Sequence, residues 1–123
     1  MEHTVLVVED EKGIRDAIAI YLKNQGYQVC LASNGKEGLE MIAENEIHLA
    51  IVDIMMPVMG GYEATRQIRR LDRTDAQSIP IIALTANAFA EDIQHAMDAG
   101  MNAHVAKPLN IKTIKKIIIN QLK

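Results

Sequence analysis

Residues 4–10 read TVLVVED, and this segment is the clearest indication of the fold class. Four apolar residues follow one another without polar alternation and then give way to two acids. Such short continuous apolar runs are typical of strands that are buried on both faces of a parallel sheet. Three later apolar runs end in the same abrupt way, at Asp53, Thr85 and Lys107.

Helical patterns alternate with these runs. After the first strand, apolar residues recur at four-residue steps, which indicates one face of an amphipathic helix. Gly26 and Gly100 are expected to end the first and fourth helices. We expect the stripe Ile111, Ile114, Ile118 and Leu122 to be buried in the last helix. The predicted strands cover about 4–8, 27–32, 48–53, 79–85 and 103–106, and the predicted helices cover about 11–25, 36–44, 62–71, 88–99 and 111–122.

Regular alternation of strands and helices predicts right-handed crossovers and a parallel sheet with helices on both faces. We therefore expect an α/β fold with a doubly wound five-stranded parallel sheet, in the order 2-1-3-4-5, and five helices. This is a flavodoxin-like arrangement. Ligands of such sheets bind at the carboxyl ends of the strands, beside the point where the strand order reverses.

The composition limits what else the chain can be. Its 123 residues, 49% of them apolar, suffice for one domain with a buried core. The net charge of −3 argues against direct nucleic-acid binding, which usually needs a basic face. Cys30 is the only cysteine, so no internal disulfide can form, and we expect it to be a small buried hydrophobe. No apolar run is long enough to insert into a membrane, and we expect a cytoplasmic location.

The predicted strand order gathers the polar residues that end the strands. Glu9 and Asp10 should lie beside Asp53, with Thr85 and Lys107 further along the same edge of the sheet. Three carboxylates repel one another unless a cation joins them, and Mg²⁺ (or Mn²⁺) suits such oxygen ligands. Asp53 is then a candidate nucleophile for phosphoryl transfer, with Lys107 and Thr85 contacting phosphoryl oxygens. Glu9 and Asp10 could also cap the first helix.

These residues resemble the motifs of a known family. The chain is similar over essentially its whole length to a receiver domain of two-component response regulators, so we treat residues 1–123 as a single receiver domain. The resemblance rests on Glu9-Asp10, Asp53 with Met56-Pro57 and Gly60-Gly61, Leu84-Thr85-Ala86, and Lys107-Pro108.

The resemblance implies a mechanism for signalling. Asp53 would accept a phosphoryl group from a phosphohistidine on a sensor histidine kinase or a histidine phosphotransfer domain. Asp10, Asp53 and the backbone carbonyl of Met55 would bind Mg²⁺, and Glu9 would act directly or through water. Lys107 would contact a phosphoryl oxygen and Thr85 would move toward the phosphoryl group, which would switch the conformation and control a downstream partner. Such a domain assists its own phosphorylation and dephosphorylation but does not turn over external substrates.

Further roles follow from the same resemblance. Pro108 is a candidate for a cis peptide bond that aims Lys107. The positions of Met55, close after Asp53, and of Asn87, two residues after Thr85, lead to a separate hypothesis, namely that these two residues set the lifetime of the phosphoryl group. A partner would dock near Ile14 and the Pro108-Leu109 loop, and a homodimer could form through the fourth helix, fifth strand and fifth helix.

His104 departs from the family, which usually carries tyrosine or phenylalanine at this switch position. Imidazole is smaller and polar and can titrate near neutral pH. Two interpretations stay open. His104 is either the switch residue that responds to Thr85 or a half-exposed strand residue without a signalling role.

Other classes of protein fit the sequence less well. A haloacid dehalogenase-type phosphatase wants a second acid two residues after its nucleophile, where this chain has Met55. A flavodoxin-like mononucleotide binder wants a phosphate-cradling loop, whereas Glu9-Asp10-Glu11 would repel phosphate. An inert receiver is disfavoured because the set of acids, hydroxyl and lysine is complete. The chain could be a stand-alone regulator or a segment of a larger regulator or hybrid kinase, and the run 80–88 resembles receivers of hybrid kinases.

Overall fold

The computed structural model describes residues 3–56, 58–86, 90–107 and 110–122. Strands and helices alternate along these residues, as the sequence predicts. The strands are β1 (Thr4–Val8), β2 (Gln28–Ala32), β3 (Leu49–Asp53), β4 (Ile81–Thr85) and β5 (Ala103–Ala106). The helices are α1 (Lys12–Asn24), α2 (Gly35–Glu44), α3 (Gly61–Arg69), α4 (Ala90–Ala99) and α5 (Ile111–Gln121).

All four strand pairings are parallel, and the order is β2-β1-β3-β4-β5. The predicted fold class is therefore confirmed. Every residue of β3 and β4 is buried, which explains why their apolar runs show no alternation. No helix in the described parts of the chain is long and apolar enough to cross a bilayer.

The sheet separates two apolar clusters. Successive side chains of a strand point to opposite faces, so Leu6 and Val8 pack on one side and Val5 and Val7 on the other. Residues of α2, α3 and α4 cover the first face, whereas residues of α1 and α5 cover the second. The helices add these buried side chains: Ile42, Ile68 and Ala96 on the first face, and Ile18, Leu22, Ile114 and Ile118 on the second.

The helix ends follow local chemistry. Gly26 and Gly100 have φ of 92° and 107°, a left-handed conformation that favours glycine directly after a helix. The prediction that Glu9 or Asp10 caps α1 is wrong. Glu11 is the N-cap, and no side chain makes a capping hydrogen bond there. The two acids precede that position, and the carboxylate of Glu9 instead turns into the edge of the sheet.

Two burial predictions need correction. Ile111 is 58% exposed, because the first turn of α5 stands away from α1 and leaves a cavity of about 180 Å³ between the helices. Ile114 and Ile118 are buried as expected, and Leu122 packs partly against them. Cys30 is only partly buried, since it lies on β2, an edge strand that pairs with β1 alone.

Candidate active site at the carboxyl edge of the sheet

The register of the sheet brings the predicted polar residues to one edge. Val8 pairs with Val52, so Glu9 and Asp53 follow at the same level. Asp53 pairs with Leu84 and Thr85 pairs with Ala106, which places Thr85 and Lys107 at the corresponding ends of β4 and β5. The parallel topology therefore gathers residues from four strands.

Three acids form the centre of this edge. Carboxylate oxygens of Glu9, Asp10 and Asp53 lie within 4.8 Å of one another. Glu9 and Asp53 are buried, at 0% and 2% exposure, whereas Asp10 is exposed. The cluster is thus buried on the side of Glu9 and Asp53 and open to solvent on the side of Asp10.

Lys107 reaches both buried acids. Its Nζ lies 2.8 Å from Oε1 of Glu9 and donates a hydrogen bond of 3.1 Å to Oδ2 of Asp53. The contact with Glu9 is an ion pair by distance, but Oε1 accepts no well-aligned hydrogen bond from the described residues. Oε1 is thus held by the charge of Lys107 without a well-aligned hydrogen bond.

The buried acids differ in proton affinity. Burial, together with hydrogen bonding to Asp53, raises the pKa of Glu9 to about 8 against the opposing influence of Lys107. Burial also opposes ionisation of Asp53, but hydrogen bonds from Glu9, the Met55 amide and Lys107 outweigh it and lower its pKa. Burial disfavours the Lys107 cation, yet its two acidic neighbours prevail and raise its pKa. These shifts favour the ionised forms of Asp53 and Lys107 and favour a proton on Glu9.

The loop after Asp53 is built tightly against it. The Met55 amide donates a 3.1 Å hydrogen bond to Oδ1 of Asp53, while the Met55 side chain is 73% exposed. A Cβ at Gly61 would stand only 2.4 Å from the Asp53 carbonyl oxygen, so no larger residue fits there. Gly35 donates a 3.0 Å hydrogen bond to the Met59 carbonyl and ties the start of α2 to the same loop. These contacts fix the backbone of the loop that follows the acid.

Thr85 is buried, and its hydroxyl has no hydrogen-bond partner among the described residues. Its carbonyl accepts a 2.7 Å hydrogen bond from the Lys107 amide, which joins the two residues across adjacent strands. His104 pairs with Ala83 and so lies on the same face as Thr85, nearer the amino end of the strands. It is partly exposed and lines a cavity of about 320 Å³.

Several predicted site residues lie outside the described residues, namely Asn87, Pro108 and Leu109. Ile14 is described. It is half-buried in α1 and packs against the apolar cluster beneath that helix.

One residue of the site was missed by the sequence reasoning. Arg15 donates a 2.8 Å hydrogen bond from Nη1 to the carbonyl of Glu9. A single arginine on the polar side of an amphipathic helix gives no signal of such a contact.

The donor set suits a small, hard cation. Mg²⁺ is typically held by one or two carboxylates and keeps several waters, so a cluster open on one side fits it. Oε1 of Glu9, which accepts no well-aligned hydrogen bond from the described residues, and the solvent-facing Asp10 are the groups that such an ion would satisfy.

The chain belongs to the response regulator receiver domain family, whose sequence model matches residues 5–119. It is thus a phosphoacceptor signalling module and not an enzyme that turns over external substrates, which sets aside the phosphatase and mononucleotide-binding alternatives. Among curated relatives, it is 36% identical over 114 residues to the sensor histidine kinase RcsC of Escherichia coli. It is 38% identical over 110 residues to the uncharacterized transcriptional regulatory protein YkoG of Bacillus subtilis.

These matches cover 93% and 89% of this chain but only 12% of RcsC and 46% of YkoG. Solved structures cover it almost completely. The chemotaxis protein CheY4 of Vibrio cholerae superposes with a TM-score of 0.93 at 30% identity, over 99% of this chain and 100% of that chain. The receiver domain of the sensor histidine kinase PA1611 of Pseudomonas aeruginosa superposes with a TM-score of 0.90 at 32% identity, over 99% of this chain and 98% of that chain. That structure has a magnesium ion coordinated in its active site cleft.

Proposed function

We propose that Asp53 accepts a phosphoryl group from a phosphohistidine on a partner protein, in a reaction that needs Mg²⁺ or Mn²⁺. The observation that carries this proposal is the buried, ionised Asp53, which is paired with Lys107 and flanked by two further acids. The partner is a sensor histidine kinase or a histidine phosphotransfer domain.

The chain's own residues supply most of what the transfer needs. An oxygen of Asp53 forms the new bond to phosphorus, the bond from phosphorus to the donor imidazole breaks, and the imidazole keeps the electron pair. The Met55 amide holds Oδ1 of Asp53, so the carboxylate keeps one orientation. Lys107 already lies beside Oδ2 and can follow a phosphoryl oxygen added there. Asp10, Asp53, Glu9 and the Met55 carbonyl would hold the cation, which neutralises charge on the phosphoryl oxygens when bound.

Thr85 supports a conformational switch. A buried hydroxyl without a partner costs free energy, on the order of 1–3 kcal/mol. A phosphoryl oxygen on Asp53 would offer it an acceptor, so phosphorylation would favour the position in which Thr85 makes that bond. His104 lies on the same face and could follow this movement, but its role as a switch residue stays a prediction.

The remaining functional assignments also stay predictions. Control of phosphoryl lifetime by Met55 and Asn87, partner docking near Ile14 and the Pro108-Leu109 loop, and dimerisation through α4, β5 and α5 belong here. So do the cis bond at Pro108, the extent of the domain over residues 1–123, and a cytoplasmic location. The relatives include both a sensor kinase and a transcriptional regulator, and control of a downstream partner by this receiver belongs among these predictions.

The direct test is the intact mass of the chain after incubation with acetyl phosphate, with and without Mg²⁺. We expect a single phosphoryl adduct that forms with Mg²⁺ and is lost when EDTA removes the ion before the donor is added. A folded chain that takes no adduct from acetyl phosphate or from a panel of phosphorylated histidine kinases would contradict the proposal.

Mg²⁺ affinity should depend on pH through Glu9. Its pKa of about 8 means that the ion must displace a proton at neutral pH. Affinity should therefore rise by up to about tenfold per pH unit from pH 6 to about 8 and then level off. Titration calorimetry at pH 7 in buffers of different ionisation enthalpy should detect nearly one proton released per ion. Glu9→Gln should abolish this release, and equal release by the variant would contradict the assignment.

The same pKa shift affects stability without the metal. The folded-state pKa lies above the unfolded value of 4.5, so the stability linked to the Glu9 proton is present in full below that value. It is lost as pH rises through about 8. Added Mg²⁺ should oppose this loss, because it replaces the proton that the carboxylate gives up.

A further inference from the structure

We propose that Arg15 is a positioning residue for the metal site, which it serves by holding the peptide group between Glu9 and Asp10. This inference rests on the proposed binding of Mg²⁺ by the acidic cluster. Arg15 touches none of the three carboxylates through an ion pair. It acts on the backbone that carries two of them.

Both polar atoms of that peptide group are bonded. Nη1 of Arg15 donates a 2.8 Å hydrogen bond to the Glu9 carbonyl oxygen. The amide of Asp10 donates a 3.1 Å hydrogen bond to Oε2 of Glu9. One residue earlier, the Glu9 amide donates to the Ala32 carbonyl at 3.0 Å. The plane of the Glu9–Asp10 peptide is therefore held from both sides, and Arg15 supplies one of the two contacts.

This restraint matters most for Asp10. The Asp10 side chain is exposed and makes no hydrogen bond with any described residue, so the backbone alone sets its direction. Mg²⁺ demands a near-ideal octahedron with short bonds to oxygen. A modest rotation of the Glu9–Asp10 peptide would move the Asp10 carboxylate away from the position it shares with Asp53.

The Arg15 guanidinium bonds a backbone carbonyl and not a carboxylate. Within residues 3–56, 58–86, 90–107 and 110–122, no carboxylate lies within 4.0 Å of the Arg15 side chain. Arg15 belongs to the first turn of α1, where its amide bonds the Glu11 carbonyl, and its half-buried side chain reaches back toward β1. A charged donor makes a stronger hydrogen bond than a neutral one, which suits a contact that fixes geometry.

An electrostatic role and a positioning role of Arg15 predict opposite changes in Mg²⁺ affinity when its side chain is removed. The positive charge of Arg15 repels Mg²⁺, so its removal should tighten binding if electrostatics were its only influence. If Arg15 positions the ligands, its removal should weaken binding. Groups that orient metal ligands typically account for about 10–100-fold in affinity, so we expect Arg15→Met to weaken Mg²⁺ binding by about tenfold.

The experiment measures the Mg²⁺ dissociation constant of the full chain by calorimetry, and its unfolding midpoint without Mg²⁺, for Arg15→Met and Arg15→Lys. Arg66→Met is the matched control, because Arg66 is an exposed helical arginine whose nearest acid is Glu63 at 3.7 Å. We expect weaker binding for Arg15→Met, partial recovery for Arg15→Lys and no change for the control. If Arg15→Met does not fold, a wild-type affinity of Arg15→Lys overturns the proposal and a several-fold loss supports it.

Three results separate the possible failures. Unchanged or tighter Mg²⁺ binding by folded Arg15→Met, even with a lower unfolding midpoint, overturns the positioning role. An equal loss in Arg66→Met also overturns it, because the effect would then not depend on the contact with the Glu9–Asp10 peptide. Failure of the wild-type chain itself to bind Mg²⁺ overturns the proposed function and this inference together.

Discussion

Asp53→Asn should abolish the phosphoryl adduct formed with acetyl phosphate, by at least on the order of 10³-fold. The amide nitrogen of asparagine is not a nucleophile, and its oxygen carries no full charge to attack phosphorus. The variant should fold, because asparagine has the same shape and can still accept the hydrogen bonds from the Met55 amide or Lys107. Intact mass before and after incubation checks the result.

Two further variants make this test specific. Asp10→Asn keeps the nucleophile and removes a metal ligand, so it should slow adduct formation without abolishing it. Asp16→Asn changes an aspartate that pairs with Lys12 on the exposed side of α1, and it should behave as wild type. An adduct on Asp53→Asn at the wild-type level would place the acceptor elsewhere in the chain.

Arg69→Met should lower the free energy of unfolding by about 3 kcal/mol, because three buried or partly buried carbonyls lose their donor at once. The Arg69 guanidinium donates to the carbonyls of Ala76, Ile79 and Gly100 and to the side-chain oxygen of Asn102. It thereby joins the end of α3 to the loop before β4 and to the turn between α4 and β5. Urea unfolding monitored by circular dichroism measures the loss.

Arg66→Met is again the control, since Arg66 lies one turn earlier on the same helix and makes only a 3.7 Å contact with Glu63. Exposed pairs of this kind contribute little, so we expect a change within about 0.5 kcal/mol. A loss below about 1 kcal/mol for Arg69→Met would show that water replaces the guanidinium at these carbonyls.

The sequence predicts the fold well because the fold depends on patterns within short segments. The buried runs of β3 and β4 and the glycines at 26 and 100 each follow from their own residues. The gathering of Glu9, Asp53, Thr85 and Lys107 then follows from the parallel topology alone.

The rest depends on packing between segments, which no local pattern records. Ile111 belongs to the apolar stripe of α5, but no neighbouring element in the described part of the chain buries its side chain, which stays 58% exposed. Arg15 and Arg69 look like ordinary polar helix residues, yet they bond carbonyls 6 and up to 31 residues away. Repulsion among the three acids predicts a raised pKa for some of them, but not that Glu9 is the one. That depends on its complete burial beside Asp53, and burial depends on the side chains that enclose the site.

The raised pKa of Glu9, which favours its protonated form, affects the net charge of the buried groups at the site. Without a metal, the buried groups of the site are a neutral acid and one pair of opposite charges, so the interior holds no net charge. With Mg²⁺ bound and Glu9 ionised, the charges of the three acids balance those of the ion and Lys107. Binding replaces a proton by a divalent ion, so the net charge of the site, with the exposed Asp10 counted in both states, changes from −1 to 0. The buried groups thus avoid the large free-energy cost of an uncompensated charge without the metal, and with the metal Asp10 completes the balance.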